Sequence, residues 1–148
     1  MIKTFARMLA VGAFVLAAAV PTTASAAGGP GVGLTVTIGS PITLTDRLLV
    51  TIPVTVTCTP PLANPVQFGN VFVTVEQASG KSVSHGSGGA NLTSCGPQTF
   101  TIQVTPDLFP TTSSPFHGGP AIAFASATAC DTQFTCVGGS SGAVSVRL

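Results

Sequence analysis

The sequence predicts an all-β, antiparallel fold of about seven strands with two disulfides. Three observations carry that expectation. Apolar and hydroxyl side chains alternate with a period of two through most of the chain, the pattern of strands with one buried face. The alternating runs are separated by segments dense in the chain's 17 Gly and 12 Pro. The cysteines are four in number and all follow a leader built like an export signal, the setting in which an even cysteine count reads as disulfides.

Met1 to Ala26 forms that leader. Lys3 and Arg7 supply positive charge, Met8 to Val20 is an uncharged apolar run, and Ala24-Ser25-Ala26 offers small side chains for cleavage. The apolar run spans about 20 Å as a helix, short of a roughly 30 Å hydrocarbon core. Cleavage after Ala26 is therefore expected in preference to a membrane anchor, with the product secreted and nothing holding it to a membrane. The mature chain, residues 27–148, keeps Arg47, Lys81 and Arg147 against Asp46, Glu76, Asp107 and Asp131, three positive against four negative. Only 6% of the full chain is charged. So weak a field disfavours nucleic acid or anionic lipid as partner.

The predicted strands follow in order. Leu34, Val36 and Ile38 mark the first (33–39). Leu48, Val50, Ile52, Val54, Val56 and Cys58 mark the second (48–58), where Pro53 threatens an interruption or bulge because it lacks an N–H. Val71, Val73 and Val75 mark the third (70–77), and a weaker fourth covers 81–85. Phe100, Ile102 and Val104 mark the fifth (98–105). In the sixth (121–130) one face carries Ile122, Phe124, Ser126, Thr128 and Cys130, while the other is all Ala. Val144, Val146 and Leu148 mark the last (142–148). The segments 59–69, 86–94, 106–120 and 131–142 read as turns. No amphipathic helix and no repeat is found, so one immunoglobulin-like β-sandwich over residues 27–148 is expected.

In such a sandwich the second and fifth strands are neighbours. That favours Cys58–Cys95 and Cys130–Cys136. The rival pairing is Cys58–Cys130, which leaves Cys95 to Cys136.

Val54-Thr55-Val56-Thr57-Cys58, Val73-Thr74-Val75-Glu76-Gln77, Cys95-Gly96-Pro97-Gln98-Thr99-Phe100-Thr101, Gly119-Pro120-Ala121 leading to Ala129-Cys130-Asp131, and the closing Val146-Arg147-Leu148 resemble small secreted proteins of actinobacterial type. The resemblance covers roughly residues 33–148 and implies an Ig-like fold and secretion, but no activity. From Cys130 to Cys136, through Val137-Gly138 and the closing strand, the chain is also loosely similar to neocarzinostatin-type apoproteins. Those are secreted two-disulfide Ig-like carriers of enediyne chromophores. They close their first disulfide over a short hairpin, whereas Cys58 and Cys95 are 37 apart, and no binding residue is carried over. The Trp and Tyr of antibody-like cores are absent.

Candidate chemistry is sparse. Gly138-Gly139-Ser140-Ser141-Gly142 matches G-x-S-x-G, but no His or carboxylate follows it, as a hydrolase would require. It reads as a turn. His85 and His117 read as loop histidines at opposite ends of the sandwich. Asp131 reads as a turn former, and the Asn91-Leu92-Thr93 sequon as unused. No catalytic residue, cofactor or metal is expected. The long connection Pro106 to Gly119 places Leu108, Phe109 and Phe116 where solvation favours polar groups. These three are the candidate recognition loop, or else a plug for the sandwich end, with Phe116 expected to plug and Phe109 to be partly exposed. The function expected is a non-enzymatic module binding another protein or a surface. The alternative is an extracellular carrier of an apolar small molecule.

Overall fold

The computed structural model describes residues 33–59, 62, 64–107 and 114–148. The leader, Leu108 and Phe109 lie outside the described residues. Among the described residues eight strands are present: β1 (Gly33–Ile38), β2 (Thr43–Thr45), β3 (Leu49–Thr59), β4 (Val66–Ser79), β5 (Ser82–Asn91), β6 (Gln98–Pro106), β7 (Pro120–Asp131) and β8 (Cys136–Arg147). Every pairing is antiparallel, in the order β1-β3-β6-β5-β4-β7-β8, with β2 also on β3.

Alternation explains the core. Val50, Ile52, Val54, Val56 and Cys58 of β3 are buried with Val71, Val73 and Val75 of β4 and Ile102 and Val104 of β6. Pro53 does not break β3, whose register with β6 runs unbroken from Val50 to Val56. The edge of β3 opposite β6 is shared by β1, which ends at Ile38↔Val54, and β2, which starts at Thr43↔Thr51. Pro53 falls in the gap between them, and its carbonyl accepts the Gly39 N–H at 2.7 Å. The missing donor is therefore not needed there. Leu48, expected in register with the core, sits in the β2–β3 turn and is 56% exposed.

Both disulfides follow the favoured pairing. Cys58–Cys95 ties the end of β3 to the segment before β6, and Cys130–Cys136 closes the β7–β8 turn.

Two segments expected to be turns are largely strand, and β4 likewise begins at Val66, inside the 59–69 segment expected to be a turn. β5 continues through Gly86, Gly88 and Gly89 to Asn91, paired with β4 along its whole length. β8 includes Gly138 to Gly142, paired with β7. Their glycines mark close approaches. On its other edge β5 pairs with β6 at Gly86↔Pro106 and Ser87↔Thr105. A Cβ on Gly86 would run into the Thr105 carbonyl, and one on Gly88 into that of Gln103. At the other edge β1 lies beside β8, and a Cβ on Gly139 would strike the Leu34 carbonyl. Glycine is required at these sites because backbone occupies the space of a side chain.

β7 has an inverted polarity of size. Its alanines at 121, 123, 125, 127 and 129 are buried, while Ile122 and Phe124 are exposed on the opposite face. Where the β7–β8 register slips between Phe124 and Ser126, the Ser141 hydroxyl accepts the Ala125 N–H at 3.0 Å. The ladder donor freed by the bulge is thereby satisfied.

Candidate binding face

Residues directly opposite each other in an antiparallel pair project to the same side of the sheet. The registers of β5, β4, β7 and β8 therefore define the rows of their outward face. The first row is Asn91, Asn70, Thr128 and Gly138. The second is Gly89, Phe72, Ser126 and Ser140. The third is Ser87, Thr74, Phe124 and Ala143. None of these twelve residues is ionisable. A fourth row, His85, Glu76, Ile122 and Ser145, brings charge to one end.

Aromatic rings stand in this field of hydroxyls, amides and glycine. Phe72 is 46% exposed and Phe124 38%, and Ile122 is also exposed. Phe72 packs over Gly89, where a Cβ would lie 3.9 Å from its Cδ2. Such cover contributes about 0.2–1 kcal/mol to strand pairing yet leaves much of the ring in water. Phe72 and Phe124 are diagonal neighbours, which places them about 7–8 Å apart, with Thr74 and Ser126 at the other corners of the square. Beyond the first row, Phe68 of β4 and Phe134 of the β7–β8 turn are exposed with ring centroids 6.5 Å apart.

The charged end is organised. Asp107 accepts from the Ser87 hydroxyl at 2.9 Å through Oδ1 and contacts His85 Nδ1 at 2.5 Å through Oδ2. Its backbone N–H donates to the His85 carbonyl at 2.8 Å. Glu76 Oε1 lies 3.8 Å from His85 Nε2. The Ser87 proton is committed to the carboxylate, which differs from a triad in which imidazole takes the hydroxyl proton.

Other sequence candidates are placed as follows. His85 lies within β5 and not at a hairpin end. His117 does not lie at the far end of the molecule. It packs against the same stretch of β4, its Nε2 3.2 Å from the Ala78 carbonyl and its backbone gripped by the Gln77 amide at 2.7 and 2.9 Å. Phe116 is fully buried. The Ser140 of the G-x-S-x-G match sits in β8, not on a strand-to-helix turn. Asp131 caps the β7–β8 turn, accepting the Gln133 and Thr135 N–H groups at 2.9 Å. Donation from the Asn64 amide at 3.0 Å, followed by those two N–H groups, holds its carboxyl below the usual carboxylate range against the opposing effect of burial. Among the described residues no cluster of His, Cys, Asp and Glu is arranged to hold a metal. No helix among them is long and apolar enough to cross a membrane. A groove of about 400 Å³ runs between the β1–β2 connection and the end of β8, lined by Ile38, Ile42, Val144, Val146 and Arg147 among others.

Sequence reasoning missed the rings of the outer face. The signal was present, since burying Val71, Val73 and Val75 turns Phe72 outward. For β7 it was ambiguous, because either the Ala face or the Ile122–Phe124 face reads as apolar. Comparison with protein-family models, curated proteins and solved structures finds no match.

Proposed function

We propose that the chain is an exported, non-enzymatic binding module whose contact surface is the outward face of the β5-β4-β7-β8 sheet. Export rests on the leader and on two disulfides, which persist in oxidising compartments. The observation that carries the binding reading is the exposure of Phe72, Ile122 and Phe124 on a rigid strand surface. Clustered exposed apolar groups rimmed by polar ones mark contact sites. In the 106–119 loop Phe116 is buried, as expected of a plug, and Leu108 and Phe109 lie outside the described residues, so the strand face carries the proposal.

The test compares wild type with the double variant Phe72→Ser, Phe124→Ser. The variant is expected to stay folded, within about 1 kcal/mol per site for a cross-strand pair. It should lose retention on the cell-surface and medium components of the producing organism. Equal retention of both proteins refutes this face as the contact surface.

A second reading, a carrier of an apolar small molecule, draws on the groove beside β8. Its volume falls within the roughly 300–1,000 Å³ of small-molecule sites, and Ile38, Ile42, Val144 and Val146 are apolar. Native mass spectrometry of the secreted protein checks it. A bound mass lost in Val144→Asp supports the carrier, and bare protein counts against it.

A further inference from the structure

We propose that the partner of the β5-β4-β7-β8 face is an uncharged polysaccharide, its sugar rings stacked on Phe72 and Phe124 and its hydroxyls bound by the surrounding polar groups. This rests on the reading of that face as the contact surface.

The rows lie on a strand surface, with neighbouring strands about 4.8 Å apart, which suits an extended ligand laid across them, such as a polymer chain.

Composition argues in the same direction. The buried centre of a protein interface is a contiguous apolar patch. Here Phe72 has Gly89 and Ser126 across the strands and Asn70 and Thr74 along its own. Phe72 is a platform among groups that bond hydroxyls, while Phe124 has Thr74 and Ala143 across the strands and Ser126 and Ile122 along its own. A sugar ring matches that pattern, because its C–H faces carry slight positive charge and pack on the negative face of an aromatic ring. Its O–H groups meet Asn70, Asn91, Thr74, Ser126 and Thr128. Charge selects within the class. The first three rows carry none, and the fourth adds the carboxylate of Glu76, 60% exposed, beside the less exposed imidazole of His85. A carboxylate accepts hydrogen bonds from neutral hydroxyls and repels uronate or sulfate groups.

Depletion by insoluble polysaccharides tests the proposal on the folded, disulfide-intact protein. The probes are microcrystalline cellulose, chitin and insoluble starch, with calcium polygalacturonate gel as the anionic control. At least one neutral polymer is expected to retain wild type, and the polygalacturonate gel is not. Phe72→Ala and Phe124→Ala should each weaken retention tenfold or more, and Glu76→Gln several-fold, with unfolding midpoints showing that the variants are folded. Phe72→Leu keeps apolar bulk without a ring and should fail as Phe72→Ala does. Full retention of Phe72→Leu overturns stacking in favour of simple apolar adhesion. Stronger retention on polygalacturonate overturns the neutral-ligand assignment. Retention by none of the neutral polymers overturns the proposal. If the Phe72→Ser, Phe124→Ser pair still loses its cell-surface or medium partner in that case, the face remains the contact surface. If sedimentation velocity shows a dimer abolished by the same pair, the partner is a second copy and the polysaccharide is overturned.

Discussion

Truncating Phe116 to Ala tests how the molecule closes its end. The ring is fully buried and presses on Gly86, whose missing Cβ would lie 2.7 Å from Cζ. The residues around it are pinned. The Phe116 N–H donates to the Arg47 carbonyl at 3.0 Å, and Arg47 Nε donates back to the Phe116 carbonyl at 3.3 Å. The Ser84 hydroxyl holds the Pro115 carbonyl at 3.1 Å, and the Gln77 amide holds both sides of the His117 backbone. A segment tied at each residue cannot sink into the space the ring leaves, so the cavity persists. Large-to-small changes at buried aromatics cost about 3–5 kcal/mol, and the cost rises where the site cannot collapse. A loss of about 4 kcal/mol is expected, a large part of the roughly 5–15 kcal/mol that keeps a domain folded. Urea unfolding with intact disulfides measures it as a midpoint shift of roughly 2 M if the slope is near 2 kcal/mol/M. A companion, Gly86→Ala, meets both the ring and the Thr105 carbonyl. In the Phe116→Ala background only the ring collision is relieved. The two changes should therefore be less than additive without rescue. A Phe116→Ala loss under about 1.5 kcal/mol, or full additivity of the pair, refutes the plug.

Three further outcomes are expected. Gly139→Ala forces β8 away from the Leu34 carbonyl and should cost about 1–3 kcal/mol, as overpacking does, readable as a lower thermal midpoint. By the chain-entropy estimate, removing Cys58–Cys95 should destabilise by about 4 kcal/mol and removing Cys130–Cys136 by about 2 kcal/mol, so paired Cys→Ser variants should unfold in that order. Because the folded Asp131 carboxyl titrates below its unfolded value, its contribution to stability is present above the unfolded pKa and is lost as pH falls through the folded one. Asp131→Asn should therefore flatten the fall in stability between about pH 5 and pH 2, and an unchanged slope would show that the cap does not titrate.

How much of this was legible in the sequence depended on whether the cause was local. The strands carried by Val50 to Cys58, Val71 to Val75 and Phe100 to Val104 follow from alternation. The disulfide pairing follows from placing the strand before Cys58 beside the one after Cys95. The glycine strands were not legible. Gly86 to Gly89 and Gly138 to Gly142 have the composition of turns, and their meaning lies in a carbonyl from another strand, far away in sequence. The histidines were separated by the same misreading. Once β5 continues past His85, the residue lies opposite Glu76, one position from the Gln77 that grips the His117 backbone. Within the candidate face, Phe72 was legible as outward from its valine neighbours. Ile122 and Phe124 were not, because only tertiary packing decides that alanine is the buried side of β7.

That decision bears on whether the exposed rings are a by-product of packing. The inward alanines of β7 are set by how near the rest of the core stands, with β1 packed against both β7 and β8. Packing thus demands small residues at 121, 123, 125, 127 and 129, and it demands nothing of 122 and 124. The same strand shows the ordinary solution two steps on, where the outward positions are Ser126 and Thr128. Threonine at 122 and 124 would complete a hydroxyl face at no cost to the core and with comparable fitness for a strand. Instead the strand presents Ile122 and Phe124 to solvent beside Phe72 of β4. The alanine face is thus explained by folding, whereas the core makes no demand for Ile122 and Phe124, and this difference between the two sides of one strand is the reason to look for a partner there.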